Sequence, residues 1–241
     1  MQVVWIVLLS IVGLIVAYFL FLFIASLFVD TKREYKVVSR FYQALCAGIG
    51  YWLLFFARVH TTVEGRELLP EGRFLLVGNH KSNFDPIVTW IALRKCGLAY
   101  ISKPENFNIP LLGRLIRPCG FLPLDRENAK NAIQTINAAA DLLTSDQASV
   151  GIYPEGTRNK TDEPLLPFHN GAFKIAQKAK VPIGVAALTN TADVAKNWPW
   201  HRTNVSLKIL AVFTPEQVKA LRTADIGDQV RTMLLEAITD K

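Results

Sequence analysis

Cysteine is scarce in this chain. Cys46, Cys96 and Cys119 are the three present, and no two of them form a CxxC pair. That excludes a disulfide framework and a zinc-finger cluster, and it suits a reducing compartment. Histidine is also sparse. His60, His80, His169 and His201 show no ligand spacing, so no metal centre is expected. There is no GxSxG elbow, which leaves a serine triad without its usual mount. No internal repeat or low-complexity tract is present. Charge is missing altogether from Met1 to Val29, although the chain holds 27 basic and 20 acidic residues. This uneven placement excludes a simple soluble globule. An apolar fraction of 51% excludes a disordered chain. The net charge of +7 is the sole hint of nucleic-acid binding, and no nucleic-acid motif accompanies it. No nucleic-acid partner is therefore expected.

The uncharged start reads QVVWIVLLSIVGLIVAYFLFLFIASLFV, from Gln2 to Val29. A helix of that length spans about 42 Å, more than the ~30 Å hydrocarbon core of a bilayer. A signal peptide has a basic start and a shorter apolar region, and this segment has neither. Residues 1–29 are thus expected to form a retained transmembrane anchor. Lys32, Arg33, Lys36 and Arg40 follow it and nothing basic precedes it. The positive-inside rule then places the rest of the protein on the cytoplasmic side of a single-pass anchor. A second apolar stretch, Phe41 to Val59, is borderline for spanning. Residues 30–59 are read as a basic flank followed by a membrane-associated helix that lies in or dips into one leaflet. Packing of that helix on the globular part is the competing reading. The short run Trp198-Pro199-Trp200-His201-Arg202 suits an interfacial aromatic anchor or, equally, a loop packed on the domain.

Residues 60–241 change character, with short apolar runs alternating with amphipathic stretches. Strands are expected at 74–77, 98–101, 149–153, 182–188 and 205–213. Helices are expected at 87–93, 128–143 and 172–179, with a closing helix through Ile226, Val230, Met233 and Leu234. This alternation predicts an α/β fold with a mixed, largely parallel sheet flanked by helices.

Two constellations carry chemistry. The first is GNHKSNFDP, residues 78–86. Pro86 suits the first position of a helix and Asp85 its N-cap. His80 then stands at a strand end, and the turn can return the Asp85 carboxylate to one imidazole nitrogen. That fixes the tautomer and leaves the other nitrogen as a base for an alcohol nucleophile. On spacing alone, a capping aspartate and a hydrogen-bonded loop histidine compete with this reading. The second constellation is PEGTRN, residues 154–159, at the end of another strand. Gly156 permits close backbone approach to a ligand, and Thr157 and Arg158 offer donors suited to phosphate. Glu155 reads as a substrate contact or as a partner of an arginine. Lys103, Arg114, Arg117 and Arg126 form a basic segment upstream, which is equally compatible with a solvated face.

Together these residues resemble the glycerolipid acyltransferase family, the 1-acylglycerol-3-phosphate acyltransferases. Asn79-His80-Lys81-Ser82-Asn83-Phe84-Asp85 matches the family pattern NHxSxxD. Tyr153-Pro154-Glu155-Gly156-Thr157-Arg158-Asn159 matches FPEGTRS. Looser matches are Lys103 to Arg126 and Val181-Pro182-Ile183-Gly184-Val185, where Pro123 and Gly184 depart from the pattern. The resemblance implies acyl transfer from a thioester, acyl-CoA or acyl-carrier protein, to the 2-hydroxyl of lysophosphatidic acid at the bilayer. It implies His80 as base, Asp85 as its partner and no bound cofactor. It places the acceptor's phosphate at Arg126, Arg158 and Lys103, with Glu155, Gly156 and Thr157 also in the substrate site and a backbone N–H near Gly156 on the oxyanion. The departures leave other acceptors open, such as glycerol 3-phosphate, another lysophospholipid or an ornithine lipid. A non-catalytic membrane-tethered lipid-binding protein is the reading from a different class.

Overall fold

The structure is a computed structural model, and it describes residues 1–239. The final two residues of the expected 60–241 domain lie outside the described residues. In chain order the strands are β1 (Val59–Glu64), β2 (Leu75–Gly78), β3 (Leu98–Ser102), β4 (Leu122–Pro123), β5 (Ser149–Ile152), β6 (Ile183–Thr189) and β7 (Thr203–Phe213). The helices are α1 (Gln2–Leu27), α2 (Arg40–Phe56), α3 (Phe84–Ala92), α4 (Leu112–Leu115), α5 (Ala129–Thr144), α6 (Lys174–Ala179), α7 (Val194–Asn197), α8 (Pro215–Ala220) and α9 (Thr223–Thr239).

The strands form one sheet in the order β1-β7-β6-β2-β5-β3-β4. Only the β6–β7 pair is antiparallel. This is the mixed, largely parallel α/β sheet that the alternation predicts. The central strands are apolar runs because helices cover both faces. Leu75 and Val77 point to one face, with α5, α6 and α9. Phe74 and Leu76 point to the other, with α2 and α3. The closing helix buries Ile226, Val230 and Leu234 on its sheet-facing side. Asn128 caps α5 by accepting from the Asn131 amide at 3.1 Å. Two strands were not foreseen. β1 is an edge strand that pairs with distant β7, and β4 has two residues.

α1 is long and apolar enough to cross a membrane. Its first half is exposed almost throughout, whereas Leu22, Ala25 and Ser26 are buried. A third apolar cluster joins Leu22 to Cys46 of α2 and to Leu115, Ile116 and Cys119 around α4. The Tyr42 hydroxyl donates to the Ala25 carbonyl at 3.0 Å, and Arg114 donates to that of Val29 at 3.1 Å. The α1 end is therefore docked. α2 has two faces. Cys46, Ala47, Gly50 and Leu54 are buried against the domain, while Trp52, Phe55 and Phe56 are exposed. The expected division at residue 60 thus cuts through a packed unit, because the apolar face of α2 completes the core over α3.

Candidate active site

Adjacent parallel strands β2, β5 and β3 all run toward the same edge, where ligands of open α/β sheets collect. β2 leads into the loop of His80, β5 into that of Glu155 to Arg158, and β3 into Lys103. Beneath the loops lies a cavity of about 780 Å³. His80, Lys103, Arg126, Gly156, Thr157 and Arg158 all line it. Ile49 and Leu53 of α2, Trp90 of α3, and Ile116 and Ile136 supply apolar wall.

The His80 Nδ1 lies 2.8 Å from Asp85 Oδ2. Asp85 is fully buried. The same oxygen accepts from the amides of Lys81 at 2.8 Å and Ser82 at 2.7 Å, and Oδ1 accepts from the Thr191 hydroxyl. Only donors surround this carboxylate, so the proton of the imidazole bond is assigned to His80 Nδ1. Nε2 is left as the proton acceptor on a ring that lines the cavity. Helix α3 begins at Phe84, with Asn83 at the cap position. Asp85 is therefore not the N-cap, and Pro86 is not the first helical residue. The carboxylate folds back onto its own loop, which advances the helix start.

Neighbouring side chains brace the pair. The Tyr153 ring stacks on His80 with centroids 4.3 Å apart and planes 12° apart, and Tyr100 stacks behind it. Burial pushes both phenols up from their ordinary range. Asn79 extends the sheet sideways, donating to the Leu188 carbonyl and accepting from its amide, both at 2.8 Å.

Glu155 departs from its expected role. It is 2% exposed and is not among the cavity-lining residues. Its carboxylate accepts from the His80 amide at 2.6 Å and the Leu166 amide at 3.0 Å, where either a substrate or an arginine was expected. Burial pushes this carboxyl up, and the two amide bonds pull it partly back. With the Asn159 amide on the His80 carbonyl at 2.7 Å, Glu155 ties the two motif loops together.

Gly156 has φ +75°, and a Cβ there would come within 2.7 Å of His169 Cδ2. This explains the glycine: the backbone is left-handed and His169 lies over it. Its own amide donates to the Tyr153 carbonyl at 3.0 Å, so an oxyanion donor near Gly156 falls to a neighbouring amide. The neighbouring amides of Thr157 and Arg158 make no such bond among the described residues.

The cations divide into two groups. Lys103, Arg126, Arg158 and Lys160 line the cavity, and the His169 ring lines it beside them. Burial lowers the Arg126 guanidinium from its ordinary value and Glu105 partly offsets this, so an anion there would find a poorly hydrated positive partner. Arg114 instead serves the α1 end. Arg117 lies over the Phe107 ring at 5.3 Å, and neither arginine lines the cavity. Sequence reasoning missed Thr191 and His169. Thr191 follows β6 and carries no motif signal. His169 sits in the stretch between the PEGTR loop and α6 and carries no motif signal either; its place over Gly156 emerges only from the fold. No cluster suited to a metal ion occurs among the described residues.

Comparisons with known proteins place this geometry in context. The family model described as Acyltransferase matches residues 60–188. The 1-acyl-sn-glycerol-3-phosphate acyltransferase of Helicobacter pylori is 30% identical over 164 residues, covering 67% of this chain and 68% of that protein. The protein of the same name from Saccharomyces cerevisiae is 27% identical over 181 residues, 74% of this chain and 59% of that one. The Haemophilus influenzae protein is 33% identical over 138 residues, 57% of each. The chain therefore spans less than two thirds of the yeast and H. influenzae relatives. The crystal structure of the 1-acyl-sn-glycerophosphate acyltransferase PlsC from Thermotoga maritima has the same fold, with a TM-score of 0.67 at 20% identity over 92% of this chain and 88% of that one. A family model that matches more than half the chain, over the very loops that build the cavity, establishes that this chain belongs to the acyltransferase family.

Proposed function

We propose that the protein transfers a fatty acyl group from an acyl thioester to the 2-hydroxyl of 1-acylglycerol 3-phosphate, giving phosphatidic acid. One observation carries this reading: a His80–Asp85 pair at 2.8 Å opens on a cavity that combines cationic side chains with an apolar wall. Such a lining matches an acceptor with one phosphate and one acyl chain. His80 Nε2 takes the hydroxyl proton while the oxygen attacks the thioester carbon. A C–O bond forms, and the resulting imidazolium is held by Asp85. Collapse breaks the C–S bond, and His80 returns the proton to the departing thiolate. Arg126, Arg158 and Lys103 hold the phosphate. The donor is acyl-CoA or acyl-carrier protein, and no bound cofactor takes part.

In this reading residues 1–29 anchor the chain, 30–59 contribute the basic flank and a membrane-associated helix, and the acyltransferase domain follows on the cytoplasmic side. Lys32, Arg33, Lys36 and Arg40 carry the orientation. The test is an acceptor panel with purified protein and acyl-CoA or acyl-carrier protein. Lysophosphatidic acid should be acylated, and His80→Ala should lose on the order of 10²- to 10⁴-fold in rate. Product from glycerol 3-phosphate, another lysophospholipid or an ornithine lipid, with none from lysophosphatidic acid, overturns the substrate. An undiminished His80→Ala rate overturns the base.

A further inference from the structure

The aromatic run at 198–202 is not absorbed by the proposed chemistry, and the fold gives it a specific neighbour. It lies against the C-terminal end of α2. Trp198 Nε1 donates to the Phe56 carbonyl at 3.1 Å, a terminal helix carbonyl that lacks a helical donor. Arg58 donates to the carbonyls of Pro199 at 3.4 Å and Trp200 at 3.2 Å. The loop is thus tied by three hydrogen bonds to the last residue of α2 and to Arg58 just beyond it. Trp198 is 56% exposed, Trp200 79%, Phe55 73% and Phe56 57%. Trp52 stacks on Phe56, and its other neighbour is Tyr18 of α1, at 6.4 Å. Ring contacts therefore join α1 to α2, and the hydrogen bond from Trp198 carries the exposed aromatic side on to the loop.

A water-facing surface of this kind is unfavourable unless something covers it. Its composition selects the occupant. Indole rings with an N–H, flanked by cations, suit the headgroup level of a bilayer. Arg58, His201 and Arg202 stand in or beside it, and no acidic residue occurs from Phe41 to Val63 or from Val194 to Pro215. That charge pattern matches anionic lipid. We propose that the loop Trp198–Arg202, held against the outward face of the membrane-associated helix α2, is itself a membrane contact on the bilayer interface, separate from the α1 anchor. The inference rests on the reading that α1 is inserted in a membrane. Two contacts fix the tilt of the domain. Leu53, which is both exposed and part of the cavity wall, then adjoins the lipid from which a one-chain acceptor arrives.

The experiment is fluorescence quenching of the full chain in phosphatidylcholine–phosphatidylglycerol vesicles containing brominated lipid. The emission lost in Trp198→Phe/Trp200→Phe should be blue-shifted and quenched. The component lost in Trp5→Phe reports α1 by itself. A quenched Trp5 component with an unquenched, water-like Trp198 and Trp200 component overturns the second contact. Absence of quenching in both overturns the contact together with the anchor. A nitroxide on Trp200→Cys gives a second readout, with expected collision by oxygen in preference to a water-soluble nickel chelate. The reverse preference overturns the proposal. Neither measurement requires turnover, so failure of the acyltransferase reading leaves both intact. If turnover is present, Trp198→Ser/Trp200→Ser should raise KM for acceptor in vesicles about tenfold and leave the rate on a water-soluble short-chain acceptor unchanged.

Discussion

At the scale of single residues, the structure gives the His80–Asp85 pair a partner from a remote part of the chain. The Thr191 hydroxyl holds the Asp85 oxygen that does not meet His80. Hydrogen bonds to charged groups contribute about 1.5–3 kcal/mol. Thr191→Val should therefore lower kcat roughly tenfold or more and shift the pH–rate profile, whereas Thr191→Ser should restore both. A variant that loses only melting temperature would make Thr191 merely structural. His169 yields a different expectation. It lines the cavity beside Arg126 and above Gly156, with no hydrogen bond to His80 among the described residues. His169→Ala should raise the acceptor KM several-fold, the worth of about 1 kcal/mol, with kcat nearly unchanged. His169→Lys should retain affinity for a phosphate-bearing acceptor. Both residues were illegible in the sequence, because their meaning depends on partners that sequence spacing does not reveal. Asp85 was legible as a partner for His80 but not as a side chain that turns away from the helix start.

Elements are held together here by loop-to-loop bonds as much as by the sheet. Glu155 is the clearest case. One carboxylate serves amides on two segments, at His80 and Leu166. Glutamine offers one good acceptor and turns an NH₂ toward the second amide. Glu155→Gln should then cost about 1–3 kcal/mol of stability, measurable by denaturant unfolding. The pH dependence has a definite sign. Burial raises this carboxyl in the folded chain, so folding favours its protonated form. Its contribution is fully present below the ordinary glutamate pKa and falls as pH climbs through the raised value. Glu155→Gln should lack that slope. The strand and helix alternation that frames these loops was readable, since apolar periodicity is local. β1 was not readable, because a half-exposed strand at the sheet edge shows little of that pattern until β7 pairs with it.

For the whole molecule, the uncharged start and the charged remainder meet in one packed unit. The first half of α1 is exposed and makes few contacts, while Leu22, Ala25 and Ser26 are docked. Removing residues 2–16 should weaken retention in the membrane fraction, leaving the salt-sensitive contact at α2 and Trp198–Arg202, while changing stability by no more than about 0.5 kcal/mol, as expected for surface changes. Loss of folding would show that the exposed half is part of the core. The sequence by itself determined the long apolar N-terminal segment, the α/β class and the two motif loops, because each is written in neighbouring residues through periodicity, turn chemistry and charge runs. Only the tertiary structure decided which side chains share the cavity, why Glu155 faces backbone, which face α2 keeps outward and where the Trp198–Arg202 loop lies. Those features rest on contacts between positions 106 residues apart for Asp85 and Thr191, 75 for His80 and Glu155, and 142 for Phe56 and Trp198. No local pattern encodes such pairs; they form when the sheet brings distant loops to one edge.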